Sequence, residues 1–357
     1  MKRKIVAYCR AQYEEDTQKL RIEVSGGVNP AAQYPIMDRS VSSEEMEDIR
    51  KEIVSYWEYV DQNIQKGTVD DGTDRDRKIF FDDLKTRGGV ISRKLFSDEE
   101  RNDLWMHAAQ SDMFLIWTNL HWIPWEALYN PDSGEGEFLS DNCVISRIPT
   151  KTNVDNLEKA PEPEGRIVCV DPVLDSDFER IEKKKVSEIF KGMGEEVYFT
   201  DLVSDLTSAV SNKRIISWIC EHETTKGLRL CSDVHFSLDD CFNHRFPAGS
   251  LLFIISCAGG RSVNGDVGMS ASIVESSDCT VVSPSSIIAA RAGVDFAKRL
   301  VNLVQREECE YLHELWAVLK RPFAGEMNKP DQITAERCYA LWFSIFGNCE
   351  VKLGAVK

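Results

Sequence analysis

Five short apolar segments in the second half of the chain constrain its fold more than any other feature. Each is too short for a buried helix, and polar stretches of helical character follow the first two, at about 176–193 and 201–212. Short continuous apolar strands that alternate with helices are typical of a mostly parallel sheet covered by helices. The segments are RIVCV (166–170), EVYFT (196–200), RIISWIC (214–220), LLFIIS (251–256) and CTVVSP (279–284). The sequence therefore predicts an α/β fold.

The first part of the chain has a different pattern. KRKIVAYCRA and QKLRIEVSGG predict a β-hairpin, and the apolar positions after Ser42 or Ser43 predict a helix that ends at Gly67. The segment 78–110 predicts two helices separated by Gly88 and Gly89, because glycine disfavours a helix interior. This part is thus expected to be a separate α+β half.

A polar stretch divides the two halves. Residues 150–166 contain two prolines and no apolar period, which is typical of a linker. We therefore predict an N-terminal half at 1–150, a linker at 151–166 and a second half with C-terminal helices at 167–357.

The net charge limits the classes of partner. The chain carries 59 acidic and 43 Lys or Arg residues, a net charge of −16, which disfavours direct binding of nucleic acid or of an anionic membrane. A basic or neutral protein partner suits this charge better. The apolar run before Arg10 is too short for a signal peptide, and no segment is long and apolar enough to cross a bilayer. A cytoplasmic location is expected.

The cysteines indicate reduced thiols, with one metal-binding alternative. The chain has 11 cysteines, an odd number, and no C-x-x-C pair. The competing hypothesis is a zinc site within residues 220–244, although the spacing lacks a paired C-x-x-C and Cys220 is expected to point into the core with its strand. Its ligands would come from Cys220, His222, Cys231, His235, Cys241 and His244. We predict no metal and no cofactor.

Two reactive residues follow neighbouring segments of the alternation. RIISWIC leads to His222, and LLFIIS leads to Cys257 and then to Gly259 and Gly260. Ligands of open parallel sheets bind beyond the carboxyl ends of the strands. If the two strands are neighbours, the thiol and the imidazole share one edge, as a cysteine nucleophile and its proton carrier require. The alternatives are core packing for Cys257 and a surface or capping position for His222.

These segments resemble a known family. IISWICEHETTKGLRL (215–230) and LLFIISCAGG (251–260) are similar to the His and Cys blocks of caspase-like peptidases, specifically of the CHAT branch related to separase. The blocks at 114–149, with the motif IPWE, and at 267–304 also resemble the family, in the family's order. The resemblance covers about 75–305. It implies a caspase-like, mostly parallel sheet flanked by helices, and an N-terminal half without catalytic residues.

The resemblance also implies an activity. A Cys257 and His222 dyad would cleave a protein or peptide substrate, and the backbone N–H groups of Cys257 and Glu223 would bind the oxyanion. Members of the family are often controlled by a regulatory partner in bacterial defence or cell death. The family usually has glycine where this chain has Glu223, whose charge favours a protonated His222.

Further positions follow from the same resemblance. The strand CTVVSP is expected to pair with an extended peptide, so that Ser283 and Ser285 would line the substrate. Asp266 is the candidate acid for a basic substrate residue, since Ile255 occupies the position where one branch carries that acid. The motif IPWE is expected to be structural, with Glu126 in a hydrogen bond or an ion pair.

Two other functions stay open at this point. A catalytically silent caspase-like scaffold is consistent with Glu223, and the intact Cys257 and His222 argue against it. A domain that binds a small ligand or a nucleotide is the third hypothesis. It is disfavoured because no G-x-G-x-x-G or Walker motif follows a predicted strand.

Overall fold

The fold was analysed in a computed structural model of the chain. The described residues are 5–27, 29–132, 136–150, 152, 165–170, 195–198, 203–220, 222–223, 226–231, 233–256, 261, 268–286, 296, 303, 309–320, 338–339 and 341–353. They divide into two compact units. The first contains the described residues from 5 to 150 together with 338, 339, 341 and 342, and the second contains the other described residues.

The first unit contains a mixed five-stranded sheet. Its order is β3-β2-β1-β4-β7, in which β1, β4 and β7 are parallel and β2 and β3 are antiparallel to their neighbours. The predicted hairpin is confirmed as β1 and β2, and β3 was not predicted. The strands are β1 Val6–Glu14, β2 Lys19–Gly26, β3 Asn29–Ser40, β4 Met113–Thr118, β5 Tyr129–Asn130, β6 Glu137–Phe138 and β7 Val144–Pro149.

Between residues 43 and 141, the described part of this unit also contains three α-helices and two short 3₁₀ turns. They are α1 Ser43–Gln65, α2 Asp74–Leu95 and α3 Asp98–Ala109, with 3₁₀ turns at Trp125–Ala127 and Leu139–Asp141. Each α-helix begins with a capping box, in which an N-cap hydroxyl and a carboxylate three residues later satisfy each other's backbone N–H. The pairs are Ser42 with Glu45, Thr73 with Asp76 and Ser97 with Glu100. The predicted start of the first helix is thereby confirmed.

The prediction of a helix break at Gly88 and Gly89 was wrong. Helix α2 continues through both glycines and ends at Leu95. The reason is packing, because a Cβ at Gly88 would lie 2.3 Å from the carbonyl oxygen of Ala127. Gly88 therefore permits the close approach of α2 to the 3₁₀ turn that follows β4.

The second unit contains a six-stranded sheet of order β16-β15-β14-β10-β8-β9. All neighbours in it are parallel except β15 and β16. A small antiparallel sheet of order β11-β12-β13 lies after β10. The strands are β8 Arg166–Val170, β9 Glu195–Tyr198, β10 Ile215–Ile219, β11 His222–Glu223, β12 Gly227–Cys231, β13 Val234–Phe236, β14 Leu251–Ile255, β15 Thr280–Pro284 and β16 Phe343–Phe346. The predicted α/β class with a mostly parallel sheet is confirmed.

The described helices of this unit are α4 Val203–Val210, α5 Asp240–Asn243, α6 Met269–Ser277 and α7 Leu312–Lys320. Trp218, Leu252 and Ile254 of the sheet share a hydrophobic core with Ile273 and Val274 of α6. The helix predicted at 176–193 lies outside the described residues. Among the helices that the structure describes, none has the length and apolar character needed to cross a bilayer.

Candidate active site

Strands β10 and β14 are adjacent and parallel, which is the arrangement that the sequence hypothesis required. Their register runs from Ile215 opposite Leu251 to Ile219 opposite Ile255. The pairing continues past both strands, because the backbone N–H of Cys220 donates to the carbonyl oxygen of Ile255 at 3.3 Å. The chain segments that lead to His222 and to Cys257 therefore leave the sheet at the same edge.

The residues just before this exit are buried. Cys220 is 3% exposed and belongs to the hydrophobic core, as expected from its strand position. Ser256 is also 3% exposed, and its Oγ has no hydrogen-bond partner among the described residues. Cys257 and the three residues after it lie outside the described part of the chain. The contact between Cys257 and His222 stays a prediction.

The backbone of His222 is held in the small antiparallel sheet. His222 lies opposite Leu228, and Glu223 lies opposite Gly227. Leu228 in turn lies opposite Phe236, and both side chains are fully buried. This register fixes the strand that carries His222 to the core of the second unit.

Gly227 makes this small sheet possible. Its φ of +110° lies in a region that side-chain-bearing residues rarely adopt. A Cβ at this position would also lie 2.1 Å from the carbonyl oxygen of Phe236. The hairpin that carries His222 therefore depends on this one glycine.

The thiol of Cys241, one of the candidate zinc ligands, is a packing group. Its Sγ lies 3.6 Å from the carbonyl oxygen of Ser237 and 3.6 Å from Sδ of Met269. Burial raises the pKa of this thiol to about 12, which disfavours the thiolate that zinc requires. Among the described residues, no three His, Cys, Asp or Glu side chains are grouped as a metal site. The side chains of His222 and Cys231 lie outside that description.

The structure places Ser283 and Ser285 inside the sheet. Strand β15 pairs with β14 on one edge, as far as Val282, and with β16 on the other. Both side chains are buried, at 0% and 1% exposure. Ser283 Oγ is 2.7 Å from Ser270 Oγ, and Ser285 Oγ is 3.0 Å from Ser344 Oγ. These hydroxyls connect this segment to α6 and β16. A role of Ser283 and Ser285 in lining the substrate stays a prediction.

Arg261 is a residue at this end of the unit that the sequence did not suggest. Its Nε donates to the carbonyl oxygen of Ser285 at 2.9 Å. It follows Cys257 by four positions in the sequence, and its partner Ser285 comes directly after the end of β15. No sequence signal predicts this contact, because the two partners lie 24 positions apart. Asp266 lies outside the described residues.

No protein-family model and no curated protein sequence matches the chain. Among solved structures, the chain resembles Saccharomyces cerevisiae separase in two structures of the separase–securin complex, at 2.6 and 3.0 Å. The TM-scores are 0.53 and 0.52, and the sequence identity is 10% in both comparisons. The matches cover 96% of this chain and 30% of the separase chain. The likeness is one of fold, and it agrees with the caspase-like architecture predicted from the sequence.

Proposed function

We propose that the chain is a cysteine endopeptidase of the CHAT branch of caspase-like peptidases. The observation that carries the proposal is the parallel register of β10 and β14 up to Ile219 and Ile255. Two reactive residues of complementary chemistry, His222 and Cys257, follow these two strands at the same edge. In open parallel sheets this is the edge at which ligands bind.

In the proposed reaction, Cys257 gives its proton to His222 and attacks the carbonyl carbon of the scissile peptide bond. The backbone N–H groups of Cys257 and Glu223 stabilise the oxyanion. The C–N bond then breaks as His222 returns the proton to the leaving amine. Water, deprotonated by His222, hydrolyses the resulting thioester and releases the acid and the free thiol. No metal or cofactor takes part in this scheme.

We also propose that a protein partner controls the activity. The separase structures that the chain resembles contain a second protein, securin. The net charge of −16 favours a partner with basic surface. A cytoplasmic role in bacterial defence or cell death belongs to the same proposal, which rests on the sequence resemblance.

A catalytically silent scaffold is the second candidate. The observation that favours it is Glu223, which occupies a strand position opposite Gly227 where the family usually has glycine. Its carboxylate adds negative charge beside the proposed dyad. This candidate predicts an intact fold without a reactive thiol.

Labelling with peptidyl electrophiles separates the two candidates. The chain is incubated with a panel of peptidyl acyloxymethyl ketones, and the adducted residue is identified by mass spectrometry. The peptidase predicts one adduct, on Cys257, that is lost in Cys257→Ala and strongly reduced in His222→Ala. Equal labelling of several cysteines, or tightly bound zinc found by elemental analysis, would contradict it. Addition of candidate activators tests whether a chain that shows no labelling requires a partner for activity.

A further inference from the structure

Two large apolar side chains are exposed in the segment that follows the His222 sheet. Leu238 is 42% exposed, and Phe242 is 63% exposed. They lie four residues apart on the turn that leads into α5, in which the Cys241 N–H donates to the carbonyl oxygen of Leu238 at 3.2 Å and the Phe242 N–H to that of Asp239 at 3.3 Å. We refer to this pair as the Leu238–Phe242 patch. Exposed apolar groups held together on a surface are typical of interaction sites.

The segment that carries the patch is firmly anchored. Phe236, Cys241 and Phe246 are buried, and the rings of Phe236 and Phe246 pack at 5.8 Å between centroids. The carboxylate of Asp240 accepts hydrogen bonds from the Ser237 backbone N–H at 2.8 Å and from the Ser237 hydroxyl at 2.6 Å. The exposure of the patch is therefore imposed by a folded segment and does not arise from a loose loop.

The patch lies close to the backbone of His222. His222, Leu228 and Phe236 are register partners across three strands, so about 10 Å separate the first from the third. Leu238 follows Phe236 by two residues, which adds at most about 7 Å. An extended peptide covers this distance with about five residues. A polypeptide cleaved beside His222 could thus reach the patch with a segment near its scissile bond.

Charge indicates what kind of segment fits. Asp239, which lies between its two members in the sequence, is exposed. Arg245 is the exposed base nearest in sequence. A second copy of this chain is disfavoured as occupant, because each copy carries a charge of −16 and two side chains bury little area.

We propose that the Leu238–Phe242 patch is a docking site for an apolar, basic segment of the polypeptide substrate, separate from the residues around the scissile bond. The inference rests on the proposed peptidase function, since it assigns the patch to the same substrate. It implies that recognition extends beyond the cleavage sequence, with the aromatic ring of Phe242 as the main contact.

Peptide binding to the Cys257→Ala chain tests this proposal without requiring cleavage. Three fluorescein-labelled peptides of about 15 residues, long enough to span roughly 50 Å when extended, are compared by anisotropy. One combines Leu and Phe with Lys and Arg, the second replaces the apolar residues with Ser, and the third replaces the basic residues with Glu. The first is expected to bind at least about tenfold more tightly than the others.

Added substitutions locate the binding. Phe242→Ser and Leu238→Ser are expected to weaken binding of the first peptide, Phe242→Ser by about tenfold or more. Val54→Ser is the matched control, since Val54 is also 42% exposed but lies on α1 of the first unit, and it should leave binding unchanged. No binding of the first peptide, equal binding of all three, or an unaffected Phe242→Ser variant overturns the proposal. So does a dimer in sedimentation that Phe242→Ser dissociates. Electrophile labelling of Cys257 in the wild-type chain reports separately on the peptidase function.

Discussion

Both units have polar or titratable residues at or just beyond the carboxyl ends of neighbouring parallel strands, but the two sets of residues differ in chemistry. In the first unit the strands are β4 and β7, and the edge is closed by paired, buried groups. In the second they are β10 and β14, and the residues that follow are a histidine and a cysteine. Position at a strand end therefore does not identify an active site. Whether such an edge can be an active site depends on the chemistry of the side chains and on the groups with which they pair.

The closed edge of the first unit is built around a buried ion pair. Nη2 of Arg147 donates to a carboxylate oxygen of Glu126, and the two side chains are 3% and 2% exposed. Nη1 of Arg147 donates to the carbonyl oxygen of His121 at 3.0 Å. The side chain of Asn119 bridges to Tyr13, accepting from its N–H at 3.0 Å and donating to its carbonyl at 2.8 Å. The ion pair with Arg147 confirms the expected structural role of Glu126.

The largest effect is expected when this ion pair is broken. Arg147→Met leaves the Glu126 carboxylate buried without its counter-charge, which should lower the free energy of unfolding by about 3–5 kcal/mol. Urea denaturation followed by circular dichroism measures the loss. The double variant Glu126→Leu/Arg147→Met should recover most of it, because an apolar pair leaves no buried charge.

Lys51→Met is the control for this prediction. Lys51 Nζ lies 3.5 Å from Asp48 Oδ1 in a pair whose side chains are 69% and 59% exposed, so the loss should stay below about 1 kcal/mol. Equal losses for Arg147→Met and Lys51→Met would mean that the first unit's edge is not closed by its ion pair.

A pH-dependent loss of stability is expected from a histidine at the same edge. Burial, with a smaller effect of Arg147, lowers the pKa of His121 to about 4, so the folded chain keeps this imidazole neutral. An unfolded histidine titrates near 6.5, so between pH 6.5 and 4 the unfolded state binds more protons and stability falls as the pH falls. The loss from this group should reach roughly 3 kcal/mol near pH 4.

The readout is the difference between the wild type and His121→Gln in urea denaturation across this pH range. His121→Gln should have a flatter profile than the wild type. Identical slopes for wild type and His121→Gln would show that His121 is not held neutral by burial.

In the second unit, the hairpin that carries His222 should be destabilised by substitution of Gly227. Gly227→Ala places a Cβ against the carbonyl oxygen of Phe236 and forces a side chain into a φ of +110°. The backbone term alone should cost about 1–3 kcal/mol, and electrophile labelling of Cys257 should fall as the strand of His222 is displaced. Thermal denaturation and labelling rates are measured together.

Gly89→Ala is the matched control for Gly227→Ala. A Cβ at Gly89 meets its nearest atom, Nη2 of Arg93, at an ordinary 3.6 Å inside α2. This change should therefore stabilise the chain by about 0.5–1 kcal/mol. The prediction would be contradicted if Gly89→Ala destabilised the chain or if Gly227→Ala left its stability unchanged.

The smallest expected effect concerns the serines of β15. Ser283→Ala removes one hydroxyl of the buried pair with Ser270 and should cost about 1 kcal/mol. The ranking of peptidyl electrophiles should stay the same, because the hydroxyl is engaged inside the unit. Ser211→Ala, at an exposed position, should change stability by less than about 0.5 kcal/mol. A changed ranking in Ser283→Ala would instead support the prediction that Ser283 lines the substrate.

Local signals in the sequence predicted much of the fold. The capping residue Ser42 and the apolar strand segments act within a few positions, and the structure has α1, β10 and β14 where they indicate. The adjacency of β10 and β14 was a condition of the sequence hypothesis, and the structure shows that these strands are neighbours.

Such local signals could not predict contacts between residues that are far apart in the sequence. Helix α2 continues through Gly88 because Ala127, far along the chain, packs against it. The pairing of Ser285 with Ser344 spans 59 positions. The occupied edge of β15 depends on β16, which comes near the end of the chain and has no distinctive pattern. A site built from such contacts is visible only once the chain is folded.

Native-state alkylation of all cysteines at pH 7 tests the contrast between closed and reactive groups most directly. The nine cysteines whose side chains are described are buried, and burial raises the pKa of the Cys9 and Cys279 thiols. Iodoacetamide labelling, resolved by mass spectrometry, should reach Cys257 first, and His222→Ala should slow that reaction by at least about tenfold. Labelling of Cys257 no faster than Cys9 or Cys279, or a rate unaffected by His222→Ala, would contradict the account.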